Sequence, residues 1–217
     1  MALRINDTIP EMTVETDQGS INLHDWVGDG WAILFSHPKD FTPVCTTEFG
    51  AVAQLADEWE KRGTKVMGIS VDGVEEHKKW KGDIETFGGA KAGFPIIADD
   101  DLKVAKAFDM LPAEAYLPDG RTPNDSATVR AVFIIGPDKK LKLSMTYPMT
   151  VGRNFAEVLR ALDGLQMSSG KGVATPANWN VGDDVIIPAT LSDDDAKAKF
   201  GDFNKILPYL RTTKAPK

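Results

Sequence analysis

Trp31-Ala-Ile-Leu-Phe-Ser36-His37-Pro38-Lys-Asp-Phe-Thr42-Pro43-Val44-Cys45 is the stretch that decides the fold. Trp31 to Ser36 is a short apolar run bounded by polar and turn residues, the pattern of a buried strand. Pro38 and Pro43 then pin a turn. From Cys45 to Arg62 apolar residues recur at Phe49, Val52, Leu55, Ala56 and Trp59, which makes a helical stripe. Lys61 and Arg62 stand in its last turn and Gly63 follows, a stop signal.

The same alternation extends outward. Lys65 to Val71 predicts a second strand, and weaker helices are expected over Val74 to Thr86 and Leu102 to Phe108. Thr128 to Ile135 ends at the turn Gly136-Pro-Asp-Lys, and Lys140 to Tyr147 resumes as the other arm of a hairpin. Asn154 with Glu157 resembles a capping box, followed by Phe155, Val158, Leu159 and Leu162 on one helix face. Strand-helix alternation closed by a hairpin and a helix implies an α/β sandwich with a central mixed sheet. Ser168-Ser-Gly-Lys-Gly reads as a linker, so residues 1–167 form the expected main domain and 168–217 a C-terminal extension. In that extension a strand is expected over Val185 to Ile187 and a helix start at Ser192-Asp-Asp-Asp195. The segment reads as too small for a core of its own.

Composition narrows the function. Among 217 residues, 42% are apolar, enough for a normal core. A net charge of −7 argues against a nucleic-acid partner bound through its phosphates. The single cysteine excludes an internal disulfide, and the first residues hold no apolar stretch long enough for a secretion leader. No membrane insertion is expected, since the run Trp31 to Phe35 is far too short to span a bilayer. The expectation is a reducing, cytoplasmic location. The three histidines, His24, His37 and His77, have no metal-ligand spacing among themselves or with Cys45, so no metal and no cofactor is expected.

A lone cysteine is most often a small buried hydrophobe. The context of Cys45 points elsewhere, because it follows a strand and a proline turn and so falls in the first turn of a helix. Unpaired N–H groups and the helix dipole there favour a thiolate over a thiol. Thr42, three residues earlier, is placed to cap that helix, and its hydroxyl is also spaced to approach the sulfur.

Pro38-Lys-Asp-Phe-Thr42-Pro-Val-Cys45 resembles the Pro-x-x-x-Thr-x-x-Cys signature of peroxiredoxins. The longer run from Phe35 to Glu48 resembles the one-cysteine, peroxiredoxin-6-type branch. Gly136-Pro-Asp-Lys-Lys-Leu-Lys-Leu-Ser, Gly152-Arg-Asn-Phe and Val173-Ala-Thr-Pro agree with it, so the likeness covers nearly the whole chain. It implies a thioredoxin-like fold with a C-terminal extension, a homodimer or larger oligomer, and a thiol peroxidase acting on hydrogen peroxide and organic hydroperoxides. Cys45 matches the peroxidatic cysteine, Thr42 the residue that orients substrate and thiolate, and Pro38 a shield over the site. Arg130 matches the arginine that stabilises thiolate and peroxide. Read by itself it is a strand-surface charge, yet an arginine amid Val129, Ala131, Val132 and Phe133 needs an acceptor. Glu48 and Arg153 match supporting members of the same network. His37 matches a histidine typical of the branch, in either a direct or a structural role. With one cysteine in the chain, the sulfenic acid must be reduced by an external thiol or another reductant.

Two other classes compete. Cys45 with His37 suggests a Cys-His hydrolase, to be separated by ester or peptide turnover. A thioredoxin-like interaction module would not need the cysteine at all. Some animal members of the branch also hydrolyse phospholipids through a Gly-x-Ser-x-Gly-like stretch. Here that stretch is Gly28-Asp-Gly30-Trp-Ala32, without the serine, although His24 and Asp138 match the other two members.

Overall fold

The computed structural model describes residues 3–115 and 126–216. Two compact units emerge, Met1–Arg153 and Asn154–Lys217.

The first unit is built on β3 (Trp31–Ser36), as the opening stretch requires. Five of its six residues are buried, so both faces are covered and the run is apolar without alternation. It pairs in parallel with β4 (Thr64–Ser70) and antiparallel with β6 (Arg130–Ile135). Beyond β4 lies β5 (Ile96–Ala98), and beyond β6 lies β7 (Leu141–Tyr147). A short hairpin, β1 (Thr13–Thr16) and β2 (Gly19–Asn22), completes a seven-stranded mixed sheet in the order β2-β1-β5-β4-β3-β6-β7. This is the expected α/β, thioredoxin-like arrangement. The hairpin, the short helix α1 (Leu23–Val27) and β5 were not anticipated, because each is too brief to show a period.

The helix after β3 departs from expectation. It begins at Pro43, and it is two helices, α2 (Pro43–Gln54) and α3 (Ala56–Lys61), broken at Leu55. The Trp59 indole donates to the Val52 carbonyl at 3.1 Å, and Leu55 N–H donates to the same oxygen at 3.2 Å. That carbonyl is the one a continuing α-helix would offer to Ala56. The next helices are α4 (Val74–Gly88) and α5 (Lys103–Ala107).

Aromatic side chains join α2 and α4 to the sheet. Phe49 of α2 lies 4.8 Å from Phe35 and 4.7 Å from Trp80 of α4, ring centre to ring centre. The two helices approach so closely at Gly50 and Gly88 that a Cβ on Gly88 would stand 2.9 Å from Gly50 Cα.

The second unit opens with α6 (Phe155–Lys171), capped by Asn154, whose side chain accepts from Ala156 N–H. The expected linker at Ser168 is instead the last turn of this helix. The Ser168 and Ser169 hydroxyls donate back to the Leu165 carbonyl, and the turn stops at Gly172 in the left-handed conformation. Three antiparallel strands follow, in the order β8-β10-β9: β8 (Val185–Ile186), β9 (Asn204–Leu207) and β10 (Leu210–Thr213). Between β8 and β9 runs α7 (Asp193–Phe200). The unit does have a small core, contrary to expectation: Val173, Trp179 and Val185, packed by Met167, Phe200 and Ala215. Met167 comes from the end of α6, which the reading had assigned to the preceding domain.

Gly88→Ala should therefore push α2 and α4 apart and cost about 1–3 kcal/mol, as overpacking does. Urea unfolding of the two proteins measures it. Equal midpoints would mean that the helices yield freely at this crossing.

Candidate active site

Thr42 is the N-cap of α2, Pro43 its first residue and Cys45 its third. Proline costs nothing at that first position, where the N–H has no intrahelical partner. Cys45 thus stands in the first turn, and it is fully buried.

One turn further along α2, Glu48 gathers two guanidinium groups. Arg153 donates to Glu48 Oε1 from its backbone N–H at 2.8 Å and from Nε at 3.0 Å, and to Oε2 from Nη2 at 2.7 Å. Its Nη1 donates to the Ala131 carbonyl at 2.9 Å, and its guanidinium lies 5.4 Å from the Phe35 ring centre. Arg130, the first residue of β6, gives Nε to the Met149 carbonyl at 2.8 Å. Its Nη1 reaches both Glu48 Oε2 at 2.8 Å and Cys45 Sγ at 3.4 Å. All three charged side chains are buried. Two cations against one carboxylate leave one positive charge in surplus beside the sulfur. That surplus and the first turn of α2 both lie beside the sulfur. Burial pushes the Glu48 carboxyl up, but the hydrogen bonds and charge of Arg153, with the charge of Arg130, outweigh it and hold the group below its ordinary value.

Thr42 occupies the capping position without capping. Its hydroxyl donates to the Lys39 carbonyl at 2.8 Å, and the Thr46 hydroxyl donates to Thr42 O at 2.9 Å. Pro38 is buried in the loop between β3 and α2.

His37 joins a different cluster. Its Nε2 pairs with Asp40 Oδ1 at 2.6 Å, and its ring stacks on Trp80 at 4.8 Å. The other Asp40 oxygen pairs with His77 Nδ1 at 2.6 Å. Among the described residues Cys45 takes its hydrogen bond from Arg130 and not from His37, so the Cys-His pair of a hydrolase is not formed. The pairing of His77 with Asp40 is not readable in the sequence, because 37 residues separate them and no spacing rule links them. Ligand atoms of His37, Asp40 and Asp72 lie within 4.8 Å of one another. The oxygens are already engaged, those of Asp40 by the two rings and Asp72 Oδ2 by Asp40 N–H and the Ser70 hydroxyl. His24 and Asp138 have partners of their own: His24 Nε2 meets the Ile9 carbonyl, and Asp138 pairs with Lys142.

Comparison with known proteins identifies the family. The AhpC/TSA family matches residues 5–144, and the C-terminal domain of 1-Cys peroxiredoxin matches residues 164–202. The mitochondrial peroxiredoxin PRX1 of Saccharomyces cerevisiae is 52% identical over 216 residues, 98% of this chain and 81% of that protein. A solved yeast mitochondrial 1-Cys peroxiredoxin, described by its thiol resolving mechanism via glutathione/thioredoxin systems, is 50% identical with a TM-score of 0.88. It covers 98% of this chain and 99% of its own. A Cys-to-Ser mutant of the peroxiredoxin 6 of Arenicola marina is 44% identical with a TM-score of 0.92, over 100% of both chains.

Glu48→Gln should lower the unfolding free energy by about 3–5 kcal/mol near neutral pH, since it leaves two buried cations uncompensated. A carboxyl held below its ordinary value stabilises the fold above that value, and this contribution is lost as pH falls through the folded-state value. The gap between wild type and variant should therefore narrow in acid. Urea midpoints across a pH series test it, and a gap independent of pH would remove the ion cluster as its cause.

Proposed function

The chain belongs to the AhpC/TSA family, among its 1-Cys peroxiredoxins, and from that membership we propose how its residues divide the work of a thiol-dependent peroxidase. Cys45 is the peroxidatic residue. The observation that carries this is its sulfur in the first turn of α2, 3.4 Å from Arg130 Nη1, beside one surplus positive charge.

The Cys45 thiolate attacks the outer oxygen of hydrogen peroxide or an organic hydroperoxide. A sulfur–oxygen bond forms and the oxygen–oxygen bond breaks. The leaving oxygen takes the bond electrons and a proton, and departs as water or alcohol. Arg130 stabilises the charge passing from sulfur to the leaving oxygen, aided by the amides of the first turn. Thr42 orients the peroxide by turning its hydroxyl from the Lys39 carbonyl, and Pro38 shields the site. Glu48 and Arg153 fix Arg130, and His37 stiffens the loop before Thr42.

Cys45 becomes a sulfenic acid with no second cysteine to meet it. An external thiol then forms a mixed disulfide and releases water, and a second thiol restores Cys45. The yeast mitochondrial 1-Cys peroxiredoxin, resolved via glutathione/thioredoxin systems, supports such donors. A reducing compartment suits this cycle. The cytoplasm is the reading from sequence, while the yeast relative is described as mitochondrial. Among the described residues no helix is long and apolar enough to cross a membrane. Residues 1–167 carry the peroxidase and 168–217 the extension, and every residue assigned a role here precedes residue 154. A homodimer is supported by β7, an edge of the seven-stranded sheet, on whose outer side no strand pairs among the described residues.

Cys45→Ser should abolish peroxide consumption. Arg130→Met should slow it about 10²–10³-fold, the usual loss for one donor at a developing charge, with an unchanged far-ultraviolet spectrum. A near-normal rate would remove Arg130 from the role. Excess peroxide without reductant should carry Cys45 on to the sulfinic acid, which mass spectrometry of the intact chain detects as two added oxygens. A sulfenic acid that persists as the sole product would contradict this.

A further inference from the structure

Asp40 lies two residues before Thr42, in the loop that leads into α2. Its carboxylate and the rings of His37 and His77 are all buried. His77 Nε2 faces the Ile97 carbonyl of β5 at 3.1 Å. A carbonyl only accepts, so this nitrogen carries a hydrogen. The contact of 2.6 Å between His77 Nδ1 and Asp40 Oδ2 needs a hydrogen too, since two bare lone pairs would repel. Burial pushes the Asp40 carboxyl up, but the hydrogen bonds from His37 and His77 outweigh it and hold the group below its ordinary value. The shared hydrogen therefore rests on His77, whose ring carries two. His37 is different. Burial pushes it down further than Asp40 restores, and among the described residues its Nδ1 meets no partner, so it is neutral with its hydrogen on Nε2.

We propose that His77 is a positioning residue of the peroxidase: as a buried imidazolium on Asp40, it fastens the loop that feeds Thr42 and Cys45 into α2 to helix α4 and strand β5. The proposal rests on the roles assigned above to Cys45 and Thr42.

That loop needs fastening. Phe41, between Asp40 and Thr42, has φ of +55°, a left-handed conformation that a side chain of its size adopts only when its surroundings impose it. Other ties exist. Asp40 N–H donates to Asp72 Oδ2 at 2.8 Å, His37 N–H to the Ile69 carbonyl at 3.0 Å, and the Thr128 hydroxyl to the His37 carbonyl at 2.7 Å. Their donors are amides and a hydroxyl, which keep their hydrogens at any working pH. The tie from His77 instead uses an imidazole donor, as does the His37–Asp40 bond within the loop, and the doubly protonated ring of His77 is the one of the two with a hydrogen to lose. The charged and titratable groups around it are Asp40 and His37 from the β3–α2 loop and Asp72 from the β4–α4 turn, while β5 offers only a carbonyl. When His77 loses its proton, one of its two acceptors loses its donor and the loop loosens. The rate then falls on the alkaline side.

Asp40→Asn isolates the charge. An asparagine amide can donate to a neutral His77 Nδ1 while its oxygen still accepts from His37 Nε2, so the same contacts form without a titrating donor. The experiment measures the second-order rate constant with hydrogen peroxide across pH for wild type, Asp40→Asn and His77→Phe, with Cys45→Ser as the blank. Nitrogen-15 shifts of the imidazoles are recorded on the wild type. The expected results are a doubly protonated His77 at neutral pH and an alkaline loss of about tenfold or more in the wild type, the scale of one charged hydrogen bond. Whatever its absolute rate, Asp40→Asn should lack that alkaline limb. His77→Phe should be slow throughout and also lack it. A neutral His77 at pH 7, or a wild-type alkaline limb retained in Asp40→Asn, overturns the proposal, and neither result depends on whether His77→Phe folds. Turnover in Cys45→Ser is a distinct failure: it overturns the site assignment, and this proposal with it.

Discussion

Glu48 between Arg130 and Arg153 is the interaction on which the site depends. A buried carboxylate with one arginine would be a closed pair, neutral and indifferent to the sulfur. With two, the cluster carries one positive charge that water does not screen, and Cys45 Sγ is the acceptor within reach of it. The three charged residues come from α2, the start of β6 and the end of the first unit. Arg153 holds them through its own backbone as well as its side chain, so the charges cannot separate without moving the chain. Burying such ions costs several kcal/mol each unless every one is hydrogen-bonded. That requirement explains why Arg130 and Arg153 also take backbone carbonyls.

The charges can be buried only if α2 is held tightly to the sheet, and that is a matter of packing. Phe49 follows Glu48 and packs into the rings of Phe35 and Trp80. Gly50 comes next and lets α4 approach to backbone contact. Three consecutive residues of α2 thus serve charge, core and close approach in turn. The same approach of α4 brings His77 to Asp40, so one helix contact positions both buried polar clusters.

What the sequence made legible follows from range. β3 was placed to the residue, and the β6–β7 hairpin nearly so, because local apolar runs and a proline turn determine them. The first-turn position of Cys45 was legible for the same reason. The break at Leu55 was not, since it depends on an indole reaching a carbonyl seven residues back. The stretch from Ser168 looked like a linker by composition, yet its hydroxyls bond back into the helix and let α6 continue. Glu48, Arg130 and Arg153 were found by likeness to a family and not by pattern, for nothing local ties residue 48 to residue 153. His77 had no such guide. Its partner lies in the most informative stretch of the chain, but the pairing exists only once α4 has packed.

Full burial of Cys45 bears on the two halves of the cycle in different ways. Peroxide needs room for only two oxygen atoms at the sulfur. The reducing thiol must bring its own sulfur into bonding contact with a buried one, in line with the bond it will break. That demands more of the loop from His37 to Thr42 than peroxide does. A chain without a second cysteine therefore places opposite demands on this loop, first to hold still for oxygen and then to admit a thiol.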